Sequence, residues 1–264
     1  MGIKFCSLVS GSSGNCTYME TDRTRILIDA GLSGKRIEGL LKSIDVCPTT
    51  IDYILVTHEH IDHIRGAGVL SRKYDIPIIA NNKTWMAMEK TIGEIKESNI
   101  KVIESDKDFI LRDLGIHPFR TFHDAAEPVG YCIYHGNTKI SIITDTGWVN
   151  DYIKNKIKNS SLYLIESNHD VDMLKKGSYP WHLKRRILSQ NGHLSNEDAG
   201  KVLSELLTGK GEMVLLGHLS QENNTPSLAH KTVKECIESY GIDTLRDIVL
   251  ELTYRHRPTK IYTL

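Results

Sequence analysis

The stretch His58-Glu59-His60-Ile61-Asp62-His63 decides how this chain is read. It follows Ile51–Thr57, a nearly unbroken apolar run of the kind that forms a strand buried on both faces. His58 and His60 stand two apart in what reads as extended chain, so their side chains point the same way. Asp62 and His63 fall at the start of a helix expected over Ile64–Lys73 and can face the same cavity from the other side. A polar surface loop accounts for one such histidine. Four metal-competent side chains in six residues, directly after a buried strand, argue for metal and can supply two adjacent sites.

Two ions need more than four ligands, and three further candidates end expected strands. His123 follows Arg120-Thr121-Phe122, Asp145 follows Ile140–Thr144, and His218 follows Val214–Gly217. Taken singly, each is equally well a turn residue or a helix cap. Together they complete a set of five histidines and two aspartates without a thiolate, which suits Zn²⁺, Mn²⁺ or Fe²⁺.

The rest of the chain reads as one domain over residues 1–264, with no linker or low-complexity run to divide it. Strands are expected at Ile3–Val9, Cys16–Glu20, Arg25–Asp29 and Ile76–Ala80, with a helix over Lys35–Ile44. A strand-rich stretch covers Val102–Ile103, Ile110–Leu111, Gly115–Phe122, Gly130–Tyr134 and Lys139–Thr144. Helices follow over Asn150–Lys158, His169–Lys175, Trp181–Ser189, Asn196–Leu207 and Ser227–Tyr240, with strands at Ser161–Glu166, Met213–Leu216 and Asp247–Leu252.

Composition sets outer limits. With 40% hydrophobic residues in 264, wholesale disorder is excluded. The 33 basic residues balance 33 acidic ones, which excludes a bulk polyanion binder but not a local basic groove. No apolar run approaches the roughly 18–20 residues that span a bilayer, so no membrane partner is expected. The N-terminus lacks a signal-peptide core, and Gly2 with Ser7 misses the myristoylation spacing by one position. Cys6, Cys16, Cys47, Cys132 and Cys236 are odd in number and contain no CxxC pair, so they read as small buried hydrophobes of a reducing cytoplasm.

The pattern Asp29, His58-x-His60-x-Asp62-His63, His123, Asp145, His218 resembles the metallo-β-lactamase superfamily, essentially from end to end. The resemblance implies an α/β fold, a four-layer αβ/βα sandwich of two mixed sheets flanked by helices, with metals at one sheet edge. By motif position, His58, His60 and His123 bind one divalent ion, and Asp62, His63 and His218 bind a second. Asp145 bridges the two, and Asp29 orients the histidine loop without being a ligand. Two divalent ions per chain, zinc or manganese with iron compatible, are thus implied, sharing a hydroxide that attacks the substrate.

The substrate is read from residues outside this core. Glu166, at a strand end, with His193 in Gly192-His193-Leu194-Ser195, resembles the tRNA 3′-processing phosphodiesterases of the superfamily. There a Glu–His pair assists the leaving oxygen. Their plain alternatives are a surface charge and a residue preceding a capped helix. Ser10–Cys16, His123-Asp124-Ala125 with Glu127–Tyr131, and Trp181–Arg186 are similar to the YycJ/WalJ branch, bacterial cytoplasmic proteins linked to exonuclease activity on DNA. The resemblance implies a binuclear phosphodiesterase acting as a 5′-to-3′ DNA exonuclease, and assigns no oligomeric state. The alternatives are a thioesterase or lactonase on the same core, or a non-catalytic regulatory protein.

Ser12, Ser13 and Asn15 can hold a phosphate in a small-residue loop, or simply make a tight turn. Trp181 beside Lys184, Arg185 and Arg186 combines stacking and charge for a single strand, or is a solvated helix face. Arg255, His256, Arg257 and Lys260 form a second basic cluster, and His169 with Asp170 either joins the site or caps a helix.

Overall fold

Apolar strands that alternate with amphipathic helices must be covered on both faces, and the chain solves this twice over. The structure is a computed structural model describing residues 2–264. The first half forms β1 (Lys4–Val9), β2 (Cys16–Glu20), β3 (Arg25–Ile28), α1 (Gly34–Lys42), β4 (Tyr53–Leu55), α2 (Ile61–Ile64), α3 (Ala67–Tyr74), β5 (Ile78–Asn81), α4 (Asn82–Ile92) and β6 (Ile100–Ile103). The second forms β7 (Phe109–Leu111), β8 (Leu114–Arg120), β9 (Val129–His135), β10 (Thr138–Ile143), α5 (Asp151–Ile157), β11 (Leu162–Glu166), α6 (Val171–Lys176), α7 (Trp181–Ile187), α8 (Asn196–Leu206), β12 (Met213–Gly217), α9 (Pro226–Ser239), β13 (Val249–Leu252) and β14 (Tyr262–Thr263).

Two seven-stranded sheets result, ordered β14-β1-β2-β3-β4-β5-β6 and β13-β12-β11-β10-β9-β8-β7. Both begin antiparallel and continue parallel, from β3 in one sheet and β10 in the other. The core between the sheets includes Phe5, Ile28, Leu55, Tyr131, Ile142 and Leu164. The outer face of the first sheet meets Ile37, Leu41, Leu70 and Met88, and that of the second meets Ile153, Leu203 and Val233. This is the four-layer αβ/βα sandwich. Strand β4 shows why the run before the histidines is so apolar: Leu55 faces the inter-sheet core while Ile54 and Val56 face the helices.

The structure departs from expectation in a few places. The helix expected over 64–73 is two helices, broken at Arg65-Gly66, where the Gly66 amide donates to the Ala30 carbonyl 2.8 Å away. A Cβ at Gly66 would lie 2.4 Å from the Leu32 carbonyl oxygen, so the break is held by close backbone approach. Helix α4 and strand β14 are additional elements, not among those expected from the sequence. Among the described residues, the five cysteines are free and no helix is long and apolar enough to cross a membrane.

One edge of the sandwich collects the chemistry. Asp29, His58, Asp145 and His218 follow β3, β4, β10 and β12, and Glu166 ends β11. Asp29, Asp145 and His218 have left-handed backbones, with φ of 60°, 56° and 53°. Such conformations cost L-residues about 1–2 kcal/mol each, a strain that occurs where structure around a site enforces it.

Candidate metal centre and its cleft

Asp29 organises the histidine loop. Its carboxylate accepts from the Thr57 amide at 2.8 Å and from the Thr57 hydroxyl, and it holds His63 Nδ1 at 2.8 Å. With Nδ1 committed, His63 turns Nε2 inward to stand 3.2 Å from Asp145 Oδ2 and 3.6 Å from Asp62 Oδ2. Gly31 lets the loop approach, because a Cβ there would lie 1.6 Å from the Asp62 carbonyl oxygen. Asn15 braces the same loop: its amide donates to that carbonyl, and its side-chain nitrogen lies 3.1 Å from His63 Nε2.

The donor atoms fall into overlapping groups whose members lie within 4.8 Å of one another: His58, His60 and His123; Asp62, His63 and His218; His58, His63 and Asp145; and Asp145, Glu166, His193 and His218. His58 Nε2, His218 Nε2 and Asp145 Oδ2 are buried without a hydrogen-bond partner. The approach of His63 Nε2 to Asp145 Oδ2 therefore lacks hydrogen-bond angles and leaves two acceptors facing one space. Each orphaned buried group costs about 1–3 kcal/mol, and a shared cation removes the cost.

The charges point the same way. Burial alone would lower the His218 pKa, but Asp145, Asp62 and Glu166 overcome it and raise it to about 10. Burial opposes the charge on His63 too, and Asp145 with Asp29 drives its pKa well above the usual imidazole range. His58 goes down, through burial first and then the neighbouring His63. The buried carboxylates demand positive charge that the imidazoles alone would have to supply as protons. The donor set is therefore compatible with divalent metal.

Beside the cluster, Glu166 holds two histidines with one oxygen. Its Oε1 lies 2.6 Å from His193 Nδ1 and 2.9 Å from His218 Nδ1. Its Oε2 accepts from the Thr146 amide at 3.0 Å and the Leu194 amide at 3.4 Å. Burial would raise this carboxyl, but the charge of His193 and the hydrogen bonds from both histidines bring it down to about 2. Glu166 thus stays ionised and positions its neighbours. His193 keeps a side chain 20% exposed, with Nε2 unpartnered, and its loop is fixed by its own amide donating to the Ile187 carbonyl. His123 Nδ1 lies 3.1 Å from the Gly192 carbonyl oxygen, and Asn168 joins the two histidine loops through the His218 and Leu194 carbonyls.

A sequence profile described as the Metallo-beta-lactamase superfamily matches residues 9–218 of the chain. The chain belongs to the metallo-beta-lactamase superfamily. Within the superfamily it is 44% identical to the "Exodeoxyribonuclease YycJ" of Bacillus anthracis over 261 residues, 99% of each chain. It is 46% identical to the "Exodeoxyribonuclease WalJ" of Streptococcus pneumoniae over 235 residues, 88% of this chain and 87% of the other. In fold it is similar to the metallo-beta-lactamase fold protein YhfI from Bacillus subtilis, with a TM-score of 0.74 at 16% identity and complete coverage of both chains.

The surroundings of this superfamily core sort the expected substrate contacts. A cleft beside His193 is lined by Ser12, Asp124, Tyr179, Leu183, Arg186 and Ser220, among others. Arg186 pairs with Asp124, whose other oxygen stands 3.5 Å from His123 Nε2. Ser12 is in the cleft wall; Ser13, Trp181 and Arg185 are exposed but outside that wall, and Asn15 is buried against the histidine loop.

Lys184 is a correction. Its side chain is buried, and its ammonium donates to the carbonyls of Lys175 and Gly177 at 2.8 and 2.7 Å. It ties the α6–α7 turn together and is not offered to a phosphate. Lys184→Met should destabilise the fold by about 1–3 kcal/mol, because two carbonyls lose their donor, and thermal unfolding measures this. Asp170 caps α6 by accepting from the Met173 amide. His169 is buried with both ring nitrogens unpartnered and stands outside the donor groups; burial lowers its pKa to about 4. Sequence reading misses the positioning roles of Thr57 and Asn168, for which neighbouring motifs offer no signal.

Proposed function

We propose that this superfamily member is a metal-dependent exodeoxyribonuclease, acting from a 5′ end as a single domain with two divalent ions, zinc or manganese. His58, His60 and His123 would hold one ion, Asp62, His63 and His218 the other, and Asp145 both. When bound, the ions supply an activated water and positive charge opposite the phosphoryl oxygens. The observation that carries the phosphodiesterase reading is His193, locked through Nδ1 to Glu166 with Nε2 open beside the cluster. An alkoxide leaving group needs a proton at the moment its bond to phosphorus breaks, and Nε2 would be the atom to give it. Glu166 accepts from Nδ1–H, which orients the ring, and its charge outweighs burial to favour the imidazolium, the form in which Nε2 carries a proton, while the full-length relative's name favours DNA as the strand.

The test is digestion of 5′-labelled single- and double-stranded DNA by protein stripped of metal and reloaded with Mn²⁺. Stepwise release of labelled nucleotide, abolished in His60→Ala, is the expected result. DNA left intact with every metal, by protein that hydrolyses a thioester or lactone, would end the nuclease reading.

A further inference from the structure

The basic run Arg255-His256-Arg257 lies outside the metal cluster but is fastened to it. Ser10 makes the link. Its hydroxyl accepts from the His218 amide at 2.8 Å, and its amide donates to the Tyr254 carbonyl at 3.0 Å. Arg255 Nη2 donates to the carbonyl of Leu219, the residue after His218, at 2.6 Å. The guanidinium also packs against Gly11, where a Cβ would come within 3.2 Å of Nη1. A pocket opens here, lined by Ser10, Ser220, Gln221, Asn224, Tyr254 and Arg255 among others.

This pocket and the His193 cleft share a wall, because Ser220 lines both. Tyr179, from the cleft, also stands close enough to bear on the Arg255 charge. At the rim the Arg257 guanidinium lies 3.8 Å from the centre of the Tyr254 ring, and that tyrosine is 38% exposed. Arg36 reaches the same rim by donating to the His256 carbonyl at 2.7 Å. Among the described residues, Arg36, Arg255 and Arg257 meet no carboxylate, as is also true of the scattered Arg23, Arg65, Arg72 and Arg185, whereas Arg25, Arg112, Arg120, Arg186 and Arg246 each do. Three guanidinium groups are thus left without counter-charge on one patch beside the cleft.

We propose that this pocket is a second phosphate subsite for the nucleic-acid strand, in which Arg255 takes a backbone phosphate beyond the scissile one and Arg257 on Tyr254 takes its neighbour. The assignment rests on the nuclease reading above. A guanidinium offers paired N–H donors that match phosphate oxygens, and the Ser220 hydroxyl and Gln221 amide add neutral donors. An aromatic ring carrying a cation suits a single strand, whose bases and phosphates alternate along one groove. A thioester or lactone has no row of phosphates to occupy such a patch.

The experiment measures steady-state kinetics and equilibrium binding of Mn²⁺-loaded protein on single-stranded DNA of about 12 nucleotides and on a dinucleotide, with Arg257→Ala and Arg255→Gln. On the longer strand, KM and Kd should rise about tenfold, in keeping with the removal of one or two phosphate-binding groups, while kcat stays within about twofold. The salt dependence of binding should flatten by about 0.7 for each phosphate no longer held. The effect should shrink to under about threefold on the dinucleotide, which has no backbone phosphate beyond the scissile one. Unchanged KM and salt slope in Arg257→Ala, with wild-type protein still degrading the strand, would overturn the subsite alone. A fall in kcat at constant KM in Arg255→Gln would assign that arginine to support of the His218 loop instead. Failure of wild-type protein to bind or degrade DNA would remove both readings together.

Discussion

Asparagine in place of Asp145 should lower DNA hydrolysis by about 10³-fold, with loss of bound metal as its accompaniment. Among the described residues, Asp145 is the one carboxylate that belongs to two of the donor groups. Its Oδ2 stands 3.2 Å from His63 Nε2, and its Oδ1 stands 3.2 Å from His218 Nδ1 and 3.9 Å from His123 Nε2. Removing its charge takes away the group that two cations would share, an interaction of several kcal/mol, and each 1.36 kcal/mol is a factor of ten in rate. Asparagine is the informative replacement because the site demands φ of 56°, a left-handed conformation that Asn tolerates better than Ala. Metal analysis, kcat/KM and circular dichroism should therefore show a folded protein short of metal. Wild-type metal content together with activity within about tenfold would remove Asp145 from the bridging position.

Much of this site is legible in the sequence because its first candidate donors are contiguous. His58 to His63 follow a strand whose neighbours Ile54, Leu55 and Val56 are buried on alternating sides, and both signals lie in one window of sequence. Helix α4 carries comparable signals, with Asn81 capping the Thr84 amide and Trp85, Met88 and Ile92 buried, but they are easily passed over between the flanking strands. Strand β14 has none: it consists of two residues and exists because β1 offers Lys4 and Phe5 an unpaired edge. The basic run on α7 shows the limit of reading adjacency as co-location. Successive helix residues diverge by about 100°, so Lys184 turns inward, Arg185 faces solvent and Arg186 reaches Asp124. The left-handed turns at Asp29, Asp145 and His218 leave no mark in composition or period, since tertiary contacts impose them. Nor does spacing reveal that Glu166 would support His218 as well as His193, because that hydrogen bond joins residues 52 apart across the parallel strands β11 and β12.

The shared oxygen of Glu166 makes the consequence of removing His193 sharp. His193→Ala should slow release of a nucleotide by about 10²–10⁴-fold, the usual contribution of a positioned general acid. The same variant should slow hydrolysis of an activated nitrophenyl phosphodiester by less than about tenfold, since a leaving group that needs no proton gains little from a donor. The contrast separates proton donation from damage to the cluster. With His193 gone, Glu166 Oε1 still holds His218 Nδ1 at 2.9 Å, and Oε2 keeps the Thr146 amide, so the donor set on the metal side retains its anchor. Glu166→Gln would loosen both histidines at once and should therefore depress both substrates, with metal loss. Equal losses on the two substrates in His193→Ala, at full metal content, would mean that His193 shapes the cleft rather than protonating the leaving oxygen. A steep loss confined to the poor leaving group places the proton on Nε2, the nitrogen that Glu166 leaves free.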